Sequence, residues 1–158
     1  MDFADSIQRY LDGPAELRQA IDGLSPEELD STPIAGTWSI RQVICHIADA
    51  EILYADRMKK ILAENEPALA KADPAGYLAN LGVATRVLTD ELKLIEAVRT
   101  HIGRILSAIS PEQWERRGIH SSDGPMTLWT VLERVTVHIP HHVAFINEKR
   151  RAIIASRP

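Results

Sequence analysis

The sequence predicts an all-α protein, four helices packed as a bundle, on three observations. Apolar residues recur at three- and four-residue steps over long stretches, the period of a helix with one buried face, and no strand-like alternation competes with them. Helix starts are signposted: Ser25-Pro26-Glu27-Glu28, Ser39-Ile40-Arg41-Gln42 and Ser110-Pro111-Glu112-Gln113 each set a serine three residues before Glu or Gln. That pairing satisfies two backbone N–H groups that a helix start otherwise leaves orphaned. The two halves of the chain also echo each other. Each has a helix, a Ser-Pro-Glu turn, a loop and a tryptophan at the next helix start, followed eight or nine residues later by histidine (Trp38 to His46, Trp129 to His138). The echo suggests a bundle of pseudo-twofold halves in which His46 faces the helix bearing His138.

The first helical region runs from about Phe3 to Leu24, with Ile7, Tyr10, Leu11, Leu17, Ile21 and Leu24 on its apolar side. Gly13-Pro14 interrupts it, Pro14 being acceptable as the first residue of a second segment. Ser25 then opens a short turn of helix, and 33–37 is a loop. The second long helix starts at the Ser39 cap and reaches about Ala63 along Ile40, Val43, Ile44, Ile47, Tyr54, Met58, Ile61 and Leu62. Trp38 and Val43 are placed to form a hydrophobic staple across its start, and Glu51 reads as a surface or helix-pairing residue. Two prolines break the pattern between Glu64 and Asp73. A third helix opens weakly at Asp73-Pro74, because Gly76 and Gly82 disfavour its first turns, and is firm from Val83 to Ile109. A polar loop spans 116–126. The fourth helix runs from near Thr127 to near Ala155, and Pro140 inside it predicts a kink.

The 158 residues suit one domain, 1–158. A net charge of −4 gives no electrostatic case for nucleic acid or an anionic membrane. No apolar run is long enough to span a bilayer. Met1-Asp2-Phe3-Ala4-Asp5 lacks the basic start and apolar run of a signal peptide, and a single cysteine fits a reducing cytosol, so the expected location is cytoplasmic.

Chemistry concentrates in Val135–Ile146, which holds three of the six histidines. His138 and His142 fall on the apolar stripe four residues apart, so their rings share one helix face. His141 lies toward the polar flank. Burial disfavours a charged imidazole, and a neutral ring still needs partners for both nitrogens. A metal ion answers that need, since H-x-x-x-H on a helix offers two ligands to one ion; hydrogen-bonded core histidines are the plain alternative. His46, in the row Val43, His46, Ala50, Leu53 bordering the second helix's apolar face, is the best third ligand. Asp49, one turn on from His46, could support a ligand or transfer a proton, or be a surface carboxylate. His141 could line the pocket or be exposed. Cys45 points about 100° from His46 and reads as packing. His101 and His120 have no evident partners. Arg41, Arg116 and Arg117 could meet an anionic substrate, though solvated arginines are the default.

Gly36-Thr37-Trp38-Ser39-Ile40-Arg41-Gln42-Val43-Ile44-Cys45-His46-Ile47-Ala48-Asp49-Ala50-Glu51 and His138-Ile139-Pro140-His141-His142-Val143-Ala144-Phe145-Ile146 resemble the second-helix and last-helix signatures of the DinB/YfiT-like superfamily. The resemblance covers essentially the whole chain. It implies an up-down-down-up four-helix bundle, often dimeric, in which one histidine of the second helix and two of the last bind a divalent metal, zinc or nickel. The ligands carry over to His46, His138 and His142. Tentative catalytic roles go to Asp49 and His141. Relatives of this kind include transferases and isomerases using a low-molecular-weight thiol, so the resemblance implies a metal-dependent thiol transferase acting on a small molecule. A non-catalytic metal- or partner-binding protein linked to stress response and a metal-dependent hydrolase are the alternatives. The expected assembly is a homodimer, with neither nucleic acid nor membrane as partner.

Overall fold

The computed structural model describes residues 2–157. Four long helices carry the architecture: α1 (Phe3–Ile21), α3 (Ile40–Ala63), α5 (Leu88–Leu106) and α6 (Leu128–Ala155). Short helices α2 (Pro26–Asp30) and α4 (Pro74–Asn80) lie in the connections, with single 3-10 turns at Val83–Thr85 and Pro111–Glu115.

Side-chain contacts set the helix directions. Arg9 reaches Glu133 near the start of α6, and Arg150 near its end donates to the Ala20 carbonyl, so α1 and α6 run parallel. Arg18 pairs with Glu96, while Tyr10 bonds Arg99 further along α5, so α1 and α5 are antiparallel. Lys149 bonds Thr37 before α3, whereas His138, earlier on α6, approaches Tyr54, later on α3; these two helices are therefore antiparallel. The order is up-down-down-up. The connections 22–39 and 64–87 are long because each must cross the bundle rather than turn a hairpin.

Several elements differ from expectation. Gly13-Pro14 does not interrupt α1. A proline here removes the donor to the Tyr10 carbonyl, and Arg99 Nη1 supplies it instead at 2.6 Å. The third helical region is split: α4 ends at Asn80, Gly82 turns the chain at φ +60°, and α5 begins only at Leu88. There are also strands. β1 (Ala68–Leu69), β2 (Arg117–His120) and β3 (Gly124–Thr127) form a sheet in that order. β1 and β2 are parallel, with Ala68 opposite Ile119; β2 and β3 are antiparallel, with Arg117 opposite Thr127. The expected 116–126 loop is thus mostly a hairpin, whose turn uses Gly124 at φ +73°. Arg116 ties it to the bundle by donating to the Ile61 and Glu64 carbonyls at the end of α3. α6 runs unbroken through Pro140, which lies on its exposed side.

The core has two apolar regions. One gathers Ile7, Met58, Ile102, Trp114, Met126 and Leu132; the other gathers Leu17, Ile44, Ile47, Ile95, Ile139 and Ile146. A buried polar layer lies at their junction. Glu51 and Arg99, 0 % exposed, pair through Arg99 Nε at 2.9 Å and Nη2 at 2.5 Å. Arg99 Nη2 also donates to the Val135 carbonyl at 2.9 Å, and Tyr10 Oη donates to Glu51 at 3.4 Å. Glu51 is therefore not a surface residue. It ties α3 to α5, and through Arg99 to α1 and α6, so the layer fixes all four long helices where the site is built.

Candidate metal centre

The Ser39 cap and its Gln42 partner set the start of α3, which fixes where the helix places position 46. The Thr127 cap does the same for α6 and positions 138 and 142. Because α3 and α6 pack antiparallel, the three rings meet in the seam. His46 Nε2 and His142 Nε2 each lie 3.1 Å from His138 Nε2, and one ligating nitrogen from each histidine falls within 4.8 Å of the others. Among the described residues no acidic side chain or cysteine joins this cluster.

All three imidazoles are held neutral. Burial lowers the pKa of each, to about 3 for His138 and about 4 for His142, and neighbouring histidines add to the effect on those two. Neutral rings are what a metal requires. A metal-free cluster is also unsatisfied. A neutral imidazole carries one proton, and His138 must divide its hydrogen bonding between two ring nitrogens facing its Nε2 and a buried Nδ1 with no partner. Two histidine nitrogens on one zinc ion stand about 3.3 Å apart at ordinary bond lengths, close to the two 3.1 Å spacings that His138 makes with His46 and His142. The donor set therefore fits a divalent cation that takes imidazole ligands.

Aromatic rings surround the three nitrogens. Trp38 stands 5.3 Å from the His46 ring, Tyr54 6.3 Å from His138, and Phe145 6.4 Å from His142. Trp38 is thus a wall of the site as well as a residue at a helix start. Phe145 remains 43 % exposed, which places the cluster near the surface with an apolar approach.

The other sequence-selected residues are distributed as follows. Asp49 does not touch the histidine nitrogens; its carboxylate is engaged on both oxygens by Arg86, at 2.9 and 3.0 Å. Arg86 also binds Glu91 at 2.6 Å, so Asp49 anchors the 64–87 crossover to α3. His141 is exposed, edge-on to Phe145 at 4.9 Å and to His142 at 5.3 Å. Cys45 is fully buried, and burial pushes its thiol up to about 11, so it is a packing residue. Trp129 packs edge-on against Phe3 and Trp114, away from the histidines. His120 is buried against Arg57, 3.2 Å from its Nη2. Arg41 is taken up by Asp30 and the Arg86 carbonyl, and Arg117 by Glu66.

Sequence reasoning left Glu51 between a surface and a helix-pairing role, and missed Arg99 and Lys149. A signal for Glu51 and Arg99 was present. Glu51 stands seven residues after Ile44 and seven before Met58, and Arg99 seven after Leu92 and seven before Leu106. Each charge thus occupies the middle of an apolar stripe.

A sequence profile described as the DinB superfamily matches residues 9–146. The chain belongs to that superfamily. Among its curated relatives, YfiT of Bacillus subtilis is 28 % identical over 146 residues, spanning 92 % of this chain and 82 % of YfiT. A protein of Oceanobacillus iheyensis is 30 % identical over 140 residues, 89 % of this chain and 81 % of its own. Both carry the name metal-dependent hydrolase. The solved structure of Bacillus subtilis YfiT, described as having an unusual four-helix bundle topology, superposes with a TM-score of 0.89 at 27 % identity over 96 % of this chain and 87 % of that one. A mycothiol-dependent maleylpyruvate isomerase shares the fold alone, with a TM-score of 0.71 at 13 % identity over 91 % of this chain and 60 % of the isomerase. No described helix is long and apolar enough to cross a membrane.

Proposed function

We propose that His46, His138 and His142 hold a divalent metal ion, zinc or nickel, and that this DinB-superfamily chain is a metal-dependent transferase joining a low-molecular-weight thiol to a small electrophile. The observation that carries the reading is the meeting of three neutral imidazole nitrogens, within 4.8 Å of one another, at the mouth of an aromatic-walled seam. A divalent ion held by His46, His138 and His142 would supply the charge that lowers the pKa of a bound thiol at neutral pH. The rest falls to the chain. The half-buried histidines stay unprotonated, Trp38 and Phe145 shield the reacting groups from water, and the Glu51–Arg99 layer fixes the spacing between α3 and α6.

Hydrolysis is the second reading, favoured by the names of the relatives from Bacillus subtilis and Oceanobacillus iheyensis. It asks for a base to activate and relay water protons. The two carboxylates nearest along α3, Asp49 and Glu51, are committed to Arg86 and Arg99, which supports thiol chemistry over water chemistry.

The test begins with elemental analysis of untagged protein beside His46→Ala and His142→Ala. About one divalent ion per chain is expected in the parent and none in either variant, with helical circular dichroism retained. Conjugation of monobromobimane to glutathione and to other cellular thiols follows, with and without chelator. Thiol-dependent turnover that chelation abolishes supports the transferase. Metal binding with ester or amide hydrolysis and no thiol dependence supports the second reading. Silence in both assays identifies a non-catalytic metal-binding protein.

A further inference from the structure

Two helical turns beyond His142, α6 carries a buried cation with no counter-charge. Lys149 is only 3 % exposed. Its one side-chain partner among the described residues is Thr37 Oγ1, at 3.0 Å, and Thr37 in turn donates to the Ile34 carbonyl. No described carboxylate lies within ion-pair distance of Nζ, although the other described lysines and arginines make twelve pairs to Asp or Glu, Arg86–Asp49 and Arg99–Glu51 among them. Burying an ammonium without a partner is costly, and two of its three N–H donors have no side-chain acceptor.

The position of Lys149 relates it to the histidines. Residues 138, 142 and 149 fall within about 40° of one another around an α-helix, and 149 lies about 10 Å along the axis from 142. Lys149 therefore continues the face that carries His138 and His142. Across the seam, Thr37 and Trp38 lead into α3, and the Trp38 ring leans on His46. The seam thus contains, in order, the histidine cluster, the aromatic wall of Trp38 and the Lys149 ammonium. The start of α3 adds to the positive potential there: it is a 24-residue helix with no acidic residue in its first turn, and its amino end points the positive pole of the helix dipole toward this corner.

We infer that Lys149, with the Thr37 hydroxyl, is the anchor for a carboxylate of the thiol substrate, whose sulfur reaches the three-histidine centre. The inference rests on the transferase reading and adds a substrate class: a thiol bearing a carboxylate several bonds from its sulfur, in place of a small neutral thiol. Lys149 is a positioning residue, separated by the aromatic wall from the reacting atoms.

Isothermal titration of zinc-loaded protein with glutathione and with glutathione diethyl ester, which lacks the free carboxylates, tests it. The parent should bind glutathione more tightly than the ester. Lys149→Met, which keeps the apolar stem, should weaken glutathione about 10-fold or more and leave the ester unchanged. Lys149→Arg should restore most of the difference. Circular dichroism and zinc content on each variant show that the fold and the histidine centre persist; if Lys149→Met does not fold, Thr37→Val, which removes the hydroxyl at an exposed position, should weaken glutathione selectively. Equal binding of both thiols, or equal loss of both in Lys149→Met, overturns the anchor and leaves the transferase reading standing. Failure to bind either thiol overturns the two together.

Discussion

Arg99 takes the place of the hydrogen-bond donor that Pro14 removes from α1: its Nη1 lies 2.6 Å from the Tyr10 carbonyl, inside a guanidinium that also grips Glu51 and the Val135 carbonyl. One side chain thereby lets a proline sit within a continuous helix and ties four helices at one level. Removing it leaves a buried Glu51 carboxylate and the Tyr10 and Val135 carbonyls without their partner. Arg99→Met should cost roughly 3–5 kcal/mol, because an uncompensated buried charge is the expensive outcome. The double variant Glu51→Leu/Arg99→Met should cost clearly less than the two single changes added together. Urea unfolding of the four proteins measures this cycle, and strict additivity would show that the pair does not act as a unit.

Gly13 is required by the same guanidinium. A Cβ at position 13 would collide with Arg99 Nη1 and lie 3.3 Å from Ile139 Cδ1. Alanine is otherwise the better helix former by about 1 kcal/mol. With Arg99 fully buried and bonded in several directions, the collision should outweigh propensity, and Gly13→Ala should lower stability by about 1–3 kcal/mol. Gly103→Ala is the comparison: its Cβ would meet the Leu11 side chain, Cδ2 at 2.8 Å, and that leucine is only partly buried. The change at 103 should be the milder of the two in thermal unfolding, and a stabilised Gly13→Ala would show that Arg99 can move aside.

These relationships mark where sequence reading succeeded and where it stopped. α3 and α6 were legible almost to the residue because local chemistry writes their ends, Ser39 with Gln42 in one and Thr127 in the other, and because their apolar stripes are long. The convergence of His46 with His138 and His142 followed from the same stripes. The sheet was invisible: β1 has two residues, β3 contains Pro125, and β2 alternates burial through Gly118 and His120, residues that carry little strand signal. Gly82 stood in the sequence as a weak point, yet only the crossing of the bundle shows that the chain must turn there. Glu51 was left between a surface and a helix-pairing role, and the second holds; its partner is 48 positions away, beyond the reach of any local pattern.

The Asp49–Arg86 pair is nearly shielded, with side-chain exposures of 12 % and 15 %, and holds the crossover rather than the histidines. Asp49→Asn should lower stability by about 1–3 kcal/mol, the range for a hydrogen bond to a charged group. It should also hasten proteolysis within 64–87, while zinc affinity stays near that of the parent. His46→Ala should abolish zinc binding. Competition with a chromogenic chelator reads both. A loss of affinity in Asp49→Asn comparable to that in His46→Ala would mean that the carboxylate acts on the metal site after all.

The histidine cluster should make the metal-free protein acid-sensitive. Unfolded imidazoles take up protons near pH 6.5, whereas burial and neighbouring rings keep His138 neutral down to about 3 and His142 to about 4, with His46 lowered in the same direction. Below 6.5 the unfolded chain therefore binds protons that the native state refuses, and stability falls as the pH falls toward the native values; above 6.5 the contribution is flat. For His138 alone the slope is roughly 1 kcal/mol per pH unit, equivalent to about 3 °C in Tm for a chain of this size. The window between pH 6.5 and 5 isolates the effect, since most carboxylates titrate below it. Differential scanning calorimetry of chelator-treated protein across that window should show Tm dropping with acid. The decline should be shallower in His138→Asn/His142→Asn, and zinc should raise Tm most at the upper end, where protons compete least for the ligands. An unchanged slope in the double variant would assign the acid sensitivity to other groups and place these rings in a more solvated environment than their packing indicates.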